Sequence, residues 1–171
     1  AARYRRVIAG VDWGYAQPGA VVVCGVLAGG DIDILAEEVA ARRPIPEWQR
    51  VYRQLRAQWR IELFYCDPSQ PAAIEQLREL APALEADNDV IGGINCVSSL
   101  LHQVRADGKT PRLRVHRQCA NLIDTMATYR WRESAAYGVM EEPAPGQDDH
   151  MLDALRYALF TESQPPAVRT L

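Results

Sequence analysis

Long apolar runs are missing from this 171-residue sequence, in which no stretch approaches the roughly 20 apolar residues of a membrane-spanning helix. Cysteine pairs with C-x-x-C spacing are also missing, which argues against a zinc knuckle. The charged opening residues are not followed by the apolar segment of a secretory signal. We therefore predict a reduced, cytosolic protein with no membrane partner, in which Cys24 and Cys66 are small buried side chains.

An excess of positive charge is missing too, because the net charge is −3. Arginine nevertheless far outnumbers lysine, and arginine suits phosphate contacts. Basic residues form local groups at Arg3, Arg5 and Arg6 and at Arg112, Arg114 and Arg117. A solvated charged surface explains each group equally well, so composition alone does not decide whether the chain binds nucleic acid.

The length and the 48% apolar content indicate one soluble domain with a substantial core. Strand-like segments at 5–12, 20–28 and 32–39 predict an antiparallel meander. Two further strands are predicted at 61–66 and 89–94. Helices are predicted at 45–59, 70–84, 97–105, 119–129 and 149–160. The polar residues 130–142 predict a small hairpin, which we expect to gate the site, and 164–171 a flexible tail.

Two acidic residues stand at predicted strand ends. Asp12 interrupts an apolar segment, and Asp67 follows the fourth strand. If the first and fourth strands are parallel neighbours joined by a helix, their carboxyl ends meet at the edge where open α/β sheets bind ligands. Two carboxylates about 4.8 Å apart repel each other unless a cation lies between them. Magnesium takes such oxygen ligands.

The last predicted helix carries further candidates. With 100° per residue, one arc of this helix contains Asp149, His150, Asp153, Tyr157 and Phe160, and the opposite arc is apolar. The apolar arc is expected to pack on the sheet, and the polar arc to face the strand ends. His150 and Asp153, three positions apart, are expected to be surface neighbours.

Each of these residues also has a structural explanation. Turn amides could satisfy Asp12, and Asp67 could form an Asx turn. Asp149 stands where acids favour a helix N-terminus, while Asp153 could pair with Arg156 or Tyr157. The combination of two strand-end acids with a helix carrying His and Asp is more informative than any single member.

The sequences VIAGVDWG, FYCDPSQPAAI and DDHMLDALRYAL resemble the three motifs of the nuclease domain of tailed-phage terminase large subunits. The last, with the pattern D-H-x-x-D-A-x-R-Y-A, is the most specific. This resemblance implies an RNase H-like α/β fold over residues 1–163, with a mixed five-stranded sheet flanked by helices. By resemblance, Asp12 is the acid that bridges both metals and Asp67 the second-strand acid.

On the last helix the resemblance leaves two assignments open. RuvC-like relatives favour His150 with Asp153, whereas other terminases carry an acid at the position of Asp149. The resemblance implies two divalent ions, Mg²⁺ or Mn²⁺, and an endonuclease that cuts concatemeric viral double-stranded DNA during genome packaging. It places that activity in the cytoplasm of an infected bacterium.

The complete enzymes also carry an ATPase motor. No G-x-x-x-x-G-K-[ST] motif occurs here, so we expect that N-terminal domain to be absent from this chain. The full-length protein is expected to work with that motor, the portal and the small terminase subunit, and the isolated domain to be a monomer. Candidates for contacts with the DNA backbone are Arg3, Arg5, Lys109, Arg112, Arg114, Arg117, Arg130 and Arg132.

Three other functions remain open at this stage. A RuvC-like junction resolvase or a transposase-type nuclease shares the expected fold and chemistry. A DNA-binding module without catalysis would use the same acids structurally. An actin-like kinase begins with a similar strand and turn, but it needs a second phosphate-binding hairpin and a much longer chain.

Overall fold

The structure, a computed structural model, describes residues 3–134 and 138–164. Within this part of the chain a six-stranded mixed sheet has the order β5-β4-β1-β2-β3-β6. Its strands are β1 (Arg6–Asp12), β2 (Gly19–Val26), β3 (Ile32–Ala40), β4 (Leu63–Cys66), β5 (Ala83–Glu85) and β6 (Leu113–Val115). The first three form the expected meander, and β4 runs parallel to β1. The helices are α1 (Ile45–Trp59), α2 (Pro71–Arg78), α3 (Val90–His102), α4 (Ala120–Thr128) and α5 (His150–Ser163).

Helices cover both faces of the sheet. The side chains of Val7, Ala9 and Val11 pack with α1 and α2. On the opposite face, Ile8 and its neighbours pack against residues of α3, α4 and α5. Such burial on both sides explains why β1 and β2 are almost continuously apolar instead of alternating.

Three predictions about the middle of the chain were wrong. The segment predicted as a strand at 89–94 begins α3, because the side chain of Asp89 caps that helix by accepting from the backbone N–H of Gly92. The preceding helix ends at Arg78 instead of continuing to residue 84, and Ala83–Glu85 is the fifth strand. The sheet has six strands because Leu113–Val115 pairs in parallel with β3.

The polar segment after α4 contains the expected hairpin, formed by β7 (Trp131–Ser134) and β8 (Gly138–Pro143). Its central residues 135–137 lie outside the described part of the chain, as do residues 165–171 of the expected tail. Gating by this hairpin stays a prediction. No helix of the described residues is both long enough and apolar enough to span a membrane.

The four cysteines are free thiols. Cys24 and Cys66 are completely buried in the sheet, as predicted, and burial raises the pKa of both thiols. They are therefore small core side chains.

The helix that carries the third motif packs unusually close to the central strand. A Cβ atom built on Gly10 would lie only 1.7 Å from the carbonyl oxygen of Ala154. Glycine at this position of β1 therefore lets α5 approach, and with it the side chains at the start of that helix.

We expect Gly10→Ala to lower the free energy of unfolding by about 3 kcal/mol, because backbone of α5 must move away from β1. Urea denaturation measures this loss. Gly29→Ala is the control, since its Cβ would meet nothing closer than Asp31 at 3.8 Å, and it should stay within about 0.5 kcal/mol of wild type. Equal stability of the two variants would contradict the close packing.

A buried carboxylate in β3 organises the end of the sheet opposite Asp12. Asp33 accepts hydrogen bonds from Arg3, Arg105 and Arg114 at 3.0, 2.6 and 2.9 Å, and from the hydroxyl of Tyr4. Burial by itself would raise the pKa of Asp33, but the hydrogen bonds from Arg114 and Arg105 outweigh it and lower that pKa to about 2.

We expect Asp33→Asn to reduce the free energy of unfolding at pH 7 by about 2 kcal/mol, because it removes the charge that the arginines surround. A lowered pKa stabilises the fold above the ordinary carboxyl value of 3.8, and this contribution disappears as the pH falls towards 2. Wild type and variant should therefore converge in acid denaturation series. The exposed pair Glu75–Arg78 provides the control, since Glu75→Gln should change little at any pH.

Candidate metal and nucleic-acid site

Two strand ends and one helix start meet at one edge of the sheet. Asp12 is the last residue of β1, and Asp67 follows β4, its parallel neighbour. Each carboxylate is only 7% exposed. The indole N–H of Trp13 donates to the backbone carbonyl of Asp67 at 2.8 Å, which ties the two strand ends together.

The third motif reaches Asp12 directly. His150, the first residue of α5, has its Nδ1 atom 2.9 Å from Asp12 Oδ2. The side-chain partner of Asp12 thus comes from 138 positions later in the chain. This contact brings the first and third motifs together at the sheet edge.

Several carboxylates influence one another here. Burial raises the pKa of Asp12, the hydrogen bond with His150 lowers it, and the nearby carboxylates of Asp153 and Asp67 raise it further. The net shift is upward, because an ionised carboxylate is poorly solvated here and lies close to others of the same sign. Burial also raises the pKa of Asp149, with a further contribution from Asp153. A site with this charge balance favours a bound cation.

Each of the principal acids has a protein partner. Both carboxylate oxygens of Asp67 accept from Ser69, one from its backbone N–H at 2.9 Å and one from its hydroxyl, which is the Asx turn considered above. Ser69 therefore binds Asp67, while Gln70 occupies the N-cap of α2. The described residues contain no group of three His, Cys, Asp or Glu side chains arranged to hold a metal ion.

Asp153 is held by a neighbour on its own helix. Arg156 Nε donates to Asp153 Oδ1 at 2.7 Å, and the guanidinium also donates to Asn88 Oδ1 at 3.0 Å. Asp153 lies in the first turn of α5, because that helix begins only at His150. Its acidity there also suits the positive end of the helix dipole.

Tyr157 lies on the arc predicted to face the strand ends. Burial raises the pKa of its phenol, and three nearby carboxylates raise it further, those of Asp67, Asp153 and Asp12. The ring is buried, and its hydroxyl is bonded to Asn88 and Arg156. The guanidinium of Arg156 lies 4.4 Å from the Tyr157 ring centroid. The pairing of Asp153 with Arg156 that the sequence allowed is present, whereas Asn88 was missed, because it comes from a loop before α3 that only the fold brings to α5.

The candidate DNA-contact residues are divided between two ends of the molecule. Asp12 of β1 pairs with Ala20 of β2, which pairs with Val39 of β3, so Val39 lies level with Asp12 across the sheet. Asp33 precedes Val39 by six residues of the same strand, a distance of about 20 Å. Arg3 and Arg114 pair with Asp33. The same distant region contains Arg5, Lys109, Arg112 and Arg117.

Two candidates lie near the start of the last helix. The backbone N–H of Arg130 donates to the side chain of Gln147 at 2.9 Å, and that side chain donates back to the Arg130 carbonyl. Arg132 forms an ion pair with Glu142 across the β7–β8 hairpin. These two residues are therefore connected to the segment that leads into His150.

Comparison with known proteins agrees with this geometry. No family model matches the sequence. The terminase large subunit of Escherichia phage T5 is 26% identical over 161 residues, which cover 91% of this chain and 35% of that protein. The nuclease domain of the large terminase of bacteriophage SPP1, solved with bound Mn, superposes with a TM-score of 0.72 at 16% identity, covering 95% of this chain and 89% of that one. The chain has the fold of a large-terminase nuclease domain.

The large terminase of a thermophilic bacteriophage has the same fold in part of its length. It superposes with a TM-score of 0.76 at 23% identity over 95% of this chain, but only 41% of that terminase is covered. The chain thus spans about a third of the T5 relative and two fifths of the thermophilic phage protein. The resemblance inferred from the three motifs and the RNase H-like fold class are both confirmed.

Proposed function

We propose that this chain is a metal-dependent endonuclease that hydrolyses phosphodiester bonds of double-stranded DNA. The observation that carries the proposal is the convergence of Asp12, Asp67, Asp153 and His150 at one sheet edge, where the pKa of Asp12 is raised. The resemblance to terminase nuclease domains, one of them solved with bound Mn, supports the same conclusion.

The donor types at this edge suit divalent ions such as Mg²⁺ or Mn²⁺, and we propose that two such ions bind once Asp67, Asp153 and His150 give up their present protein partners. Carboxylate oxygens and an imidazole nitrogen are suitable donors, and buried carboxylates near one another gain stability when a cation balances their charge. Bound ions of this kind would lower the pKa of an attacking water and stabilise charge on the scissile phosphate. Asp12, Asp67 and Asp153 are the proposed ligands, with Asp149 at the rim.

The chain's own side chains have distinct roles in this proposal. Asp12 is the central acid, because Asp67, Asp153 and His150 all act on it. His150 completes the ligand set or orients a water, and either role requires it to exchange its contact with Asp12. Asp153 likewise exchanges its hydrogen bond with Arg156, which then keeps its contact with Asn88.

DNA binding is proposed to use the end of the molecule that carries the acids. Arg130 and Arg132 are the best-situated candidates for phosphate contacts, because they are linked to the segment before His150. Phosphate contacts position DNA without reading its sequence, so we expect little sequence specificity and strong salt dependence. The remaining basic candidates belong to the Asp33 end of the sheet, where ion pairs hold several of them.

The biological role that we propose is the cutting of concatemeric viral DNA during genome packaging, in the cytoplasm of an infected bacterium. The similarity to the terminase large subunit of phage T5 supports this proposal. In that role the nuclease would act with an ATPase domain, the portal and the small terminase subunit.

The first experiment follows conversion of supercoiled plasmid to nicked and linear forms with Mn²⁺, Mg²⁺, Ca²⁺ or EDTA. We expect cutting with Mn²⁺ or Mg²⁺ and none with EDTA. A four-way junction assayed beside a linear duplex of the same sequence separates this function from a junction resolvase, which would prefer the junction. The proposal would be contradicted if the protein cut DNA with none of the metals and if none of them raised its melting temperature.

A further inference from the structure

A groove beside Asp12 has no part in the proposed cleavage steps. It has a volume of about 260 Å³ and runs between the N-terminal half of α1 and one side of α2. Asp12 forms part of its wall, and the rest is mostly apolar and aromatic, with Trp48 and Tyr52 among the lining side chains. Asp12 is therefore the residue that the described lining of the groove shares with the carboxylate cluster.

We propose that this groove binds one unstacked nucleobase of the DNA strand whose phosphodiester lies at the carboxylates. The inference rests on the proposed nuclease function and extends it, because it adds a base-binding site to an enzyme otherwise expected to contact only the DNA backbone. The occupant is defined by its chemistry, as a flat aromatic ring with polar edges.

The aromatic side chains provide the first argument. Tyr15 and Ile45 both line the groove and are 64% and 55% exposed, so two large apolar side chains are exposed at one place, as at many binding sites. Trp48 and Tyr52 stack on each other with centroids 5.8 Å apart, and Trp13 meets Tyr52 edge to face. These contacts make a rigid apolar floor. Exposed aromatic rings on rigid supports are the usual platform for a base, whatever its identity.

The polar groups of the groove provide the second argument. Gln49 of α1 and Gln76 of α2 line it from the two helices, and an amide can both donate to and accept from a base edge. Arg43 also lines it, stacked 4.5 Å over the Trp48 ring and paired with Glu38. Its Nη1 atom is buried and has no hydrogen-bond partner among the described residues, so a ligand oxygen that reached it would supply one.

Charge and size exclude two alternative ligand classes. Among the described residues that line the groove, Arg43 is the only cation and is already neutralised by Glu38, while Asp12 is an acid, so the groove is a poor phosphate site. Its volume lies below the roughly 300–1,000 Å³ typical of sites for drug-sized ligands. One base fits this description better than a dinucleotide or a helical peptide.

The experiment compares three 30-base-pair duplexes: one with a single bulged 2-aminopurine, one with an abasic bulge, and one fully paired. An unpaired base needs little energy to leave the stack, so the bulged base should be captured most readily. In Ca²⁺, we expect the protein to bind the duplex with the bulged base at least about fivefold more tightly than the duplex with the abasic bulge. The stacking of one base on an aromatic side chain accounts for a difference of this size. The 2-aminopurine emission should change on binding.

Variants of the groove supply the controls. Tyr15→Ala and Gln49→Ala should each remove most of this preference while leaving cleavage of the paired duplex. Neither change is expected to unfold the protein, because the hydrogen bond that Tyr15 accepts from Arg42 uses its backbone carbonyl and Gln49 lies at the surface of α1. Gln54→Ala, an exposed glutamine of the same helix outside the groove, should behave as wild type.

Equal affinity for the bulged, abasic and paired duplexes would overturn the base site, and so would a preference that survives both groove variants. Cleavage of the paired duplex in either case would leave the proposed nuclease function intact. No cleavage of any duplex, together with no binding, would overturn both proposals.

Discussion

Asp12→Asn should reduce the rate of metal-dependent DNA cleavage about a thousandfold or more. The acid is the central member of the site, and losing several kcal/mol of charge stabilisation in the transition state costs a factor of ten for each 1.4 kcal/mol. Single-turnover cleavage of a linear duplex in Mn²⁺ measures this. The asparagine keeps the size of the side chain and an oxygen that can still accept from His150.

The same variant should be more stable than wild type when metal is removed. Burial raises the pKa of Asp12, so the folded protein binds a proton more readily than the unfolded chain, and ionisation costs stability as the pH rises above the ordinary value of 3.8. Asparagine carries no such charge. Thermal denaturation in EDTA should give a higher midpoint for Asp12→Asn, with a gap that widens towards neutral pH.

Adding Mn²⁺ should reverse this order, because an ion that binds only the folded site stabilises wild type and not the variant. This readout does not depend on cleavage. Normal cleavage by Asp12→Asn would show that Asp12 takes no part in the mechanism. A loss of stability of this variant at neutral pH in EDTA would show that Asp12 has a structural role.

Asp153→Asn should lower the cleavage rate about a hundredfold, whereas Asp149→Asn should lower it less than about fivefold. Asp153 is the acid of α5 that acts on the pKa of Asp12, while Asp149 stands at the N-cap position without a side-chain capping bond. A hundredfold loss corresponds to about 2.7 kcal/mol, which is reasonable for one ligand among several. Parallel single-turnover assays of the two variants measure the difference.

The assay needs one correction, because Asp153 also has a structural partner. Its hydrogen bond with Arg156 is part of a buried network, so Asp153→Asn is expected to lose some stability as well. Mn²⁺ titration by calorimetry separates the effects, since a ligand variant binds metal more weakly even well below its melting temperature. The opposite order of the two variants would assign the site to Asp149.

The sequence by itself determined the elements whose local pattern matches their environment. The helix predicted at 45–59 is observed at Ile45–Trp59, because its apolar residues follow one helical face and Pro46 suits its first turn. The meander followed from apolar segments separated by turn residues. The three motifs were recognisable because their spacing reflects the chemistry of the site and not the packing of any single element.

Elements whose residues serve long-range contacts were predicted poorly. Residues 83–85 form a strand because they pair in parallel with β4. The apolar segment that begins at Val90 is a helix, whose N-terminus Asp89 caps. A short apolar run is compatible with either structure when read locally. Asn88 was missed for the same reason, since only the tertiary fold brings it to the hydroxyl of Tyr157.

Sequence predicted which acids belong to the candidate site, and tertiary structure decided which side chains hold them. Residue types at strand ends and on one helix can be read without coordinates, because a strand end and a helix face are local properties. The pairing of Asp12 with His150, of Asp67 with Ser69 and of Asp153 with Arg156 depends on where chain segments meet. The sheet register was also needed to show that the arginines around Asp33 lie far from the carboxylate edge. Residues close in sequence to Asp12 can lie at the opposite end of its strand.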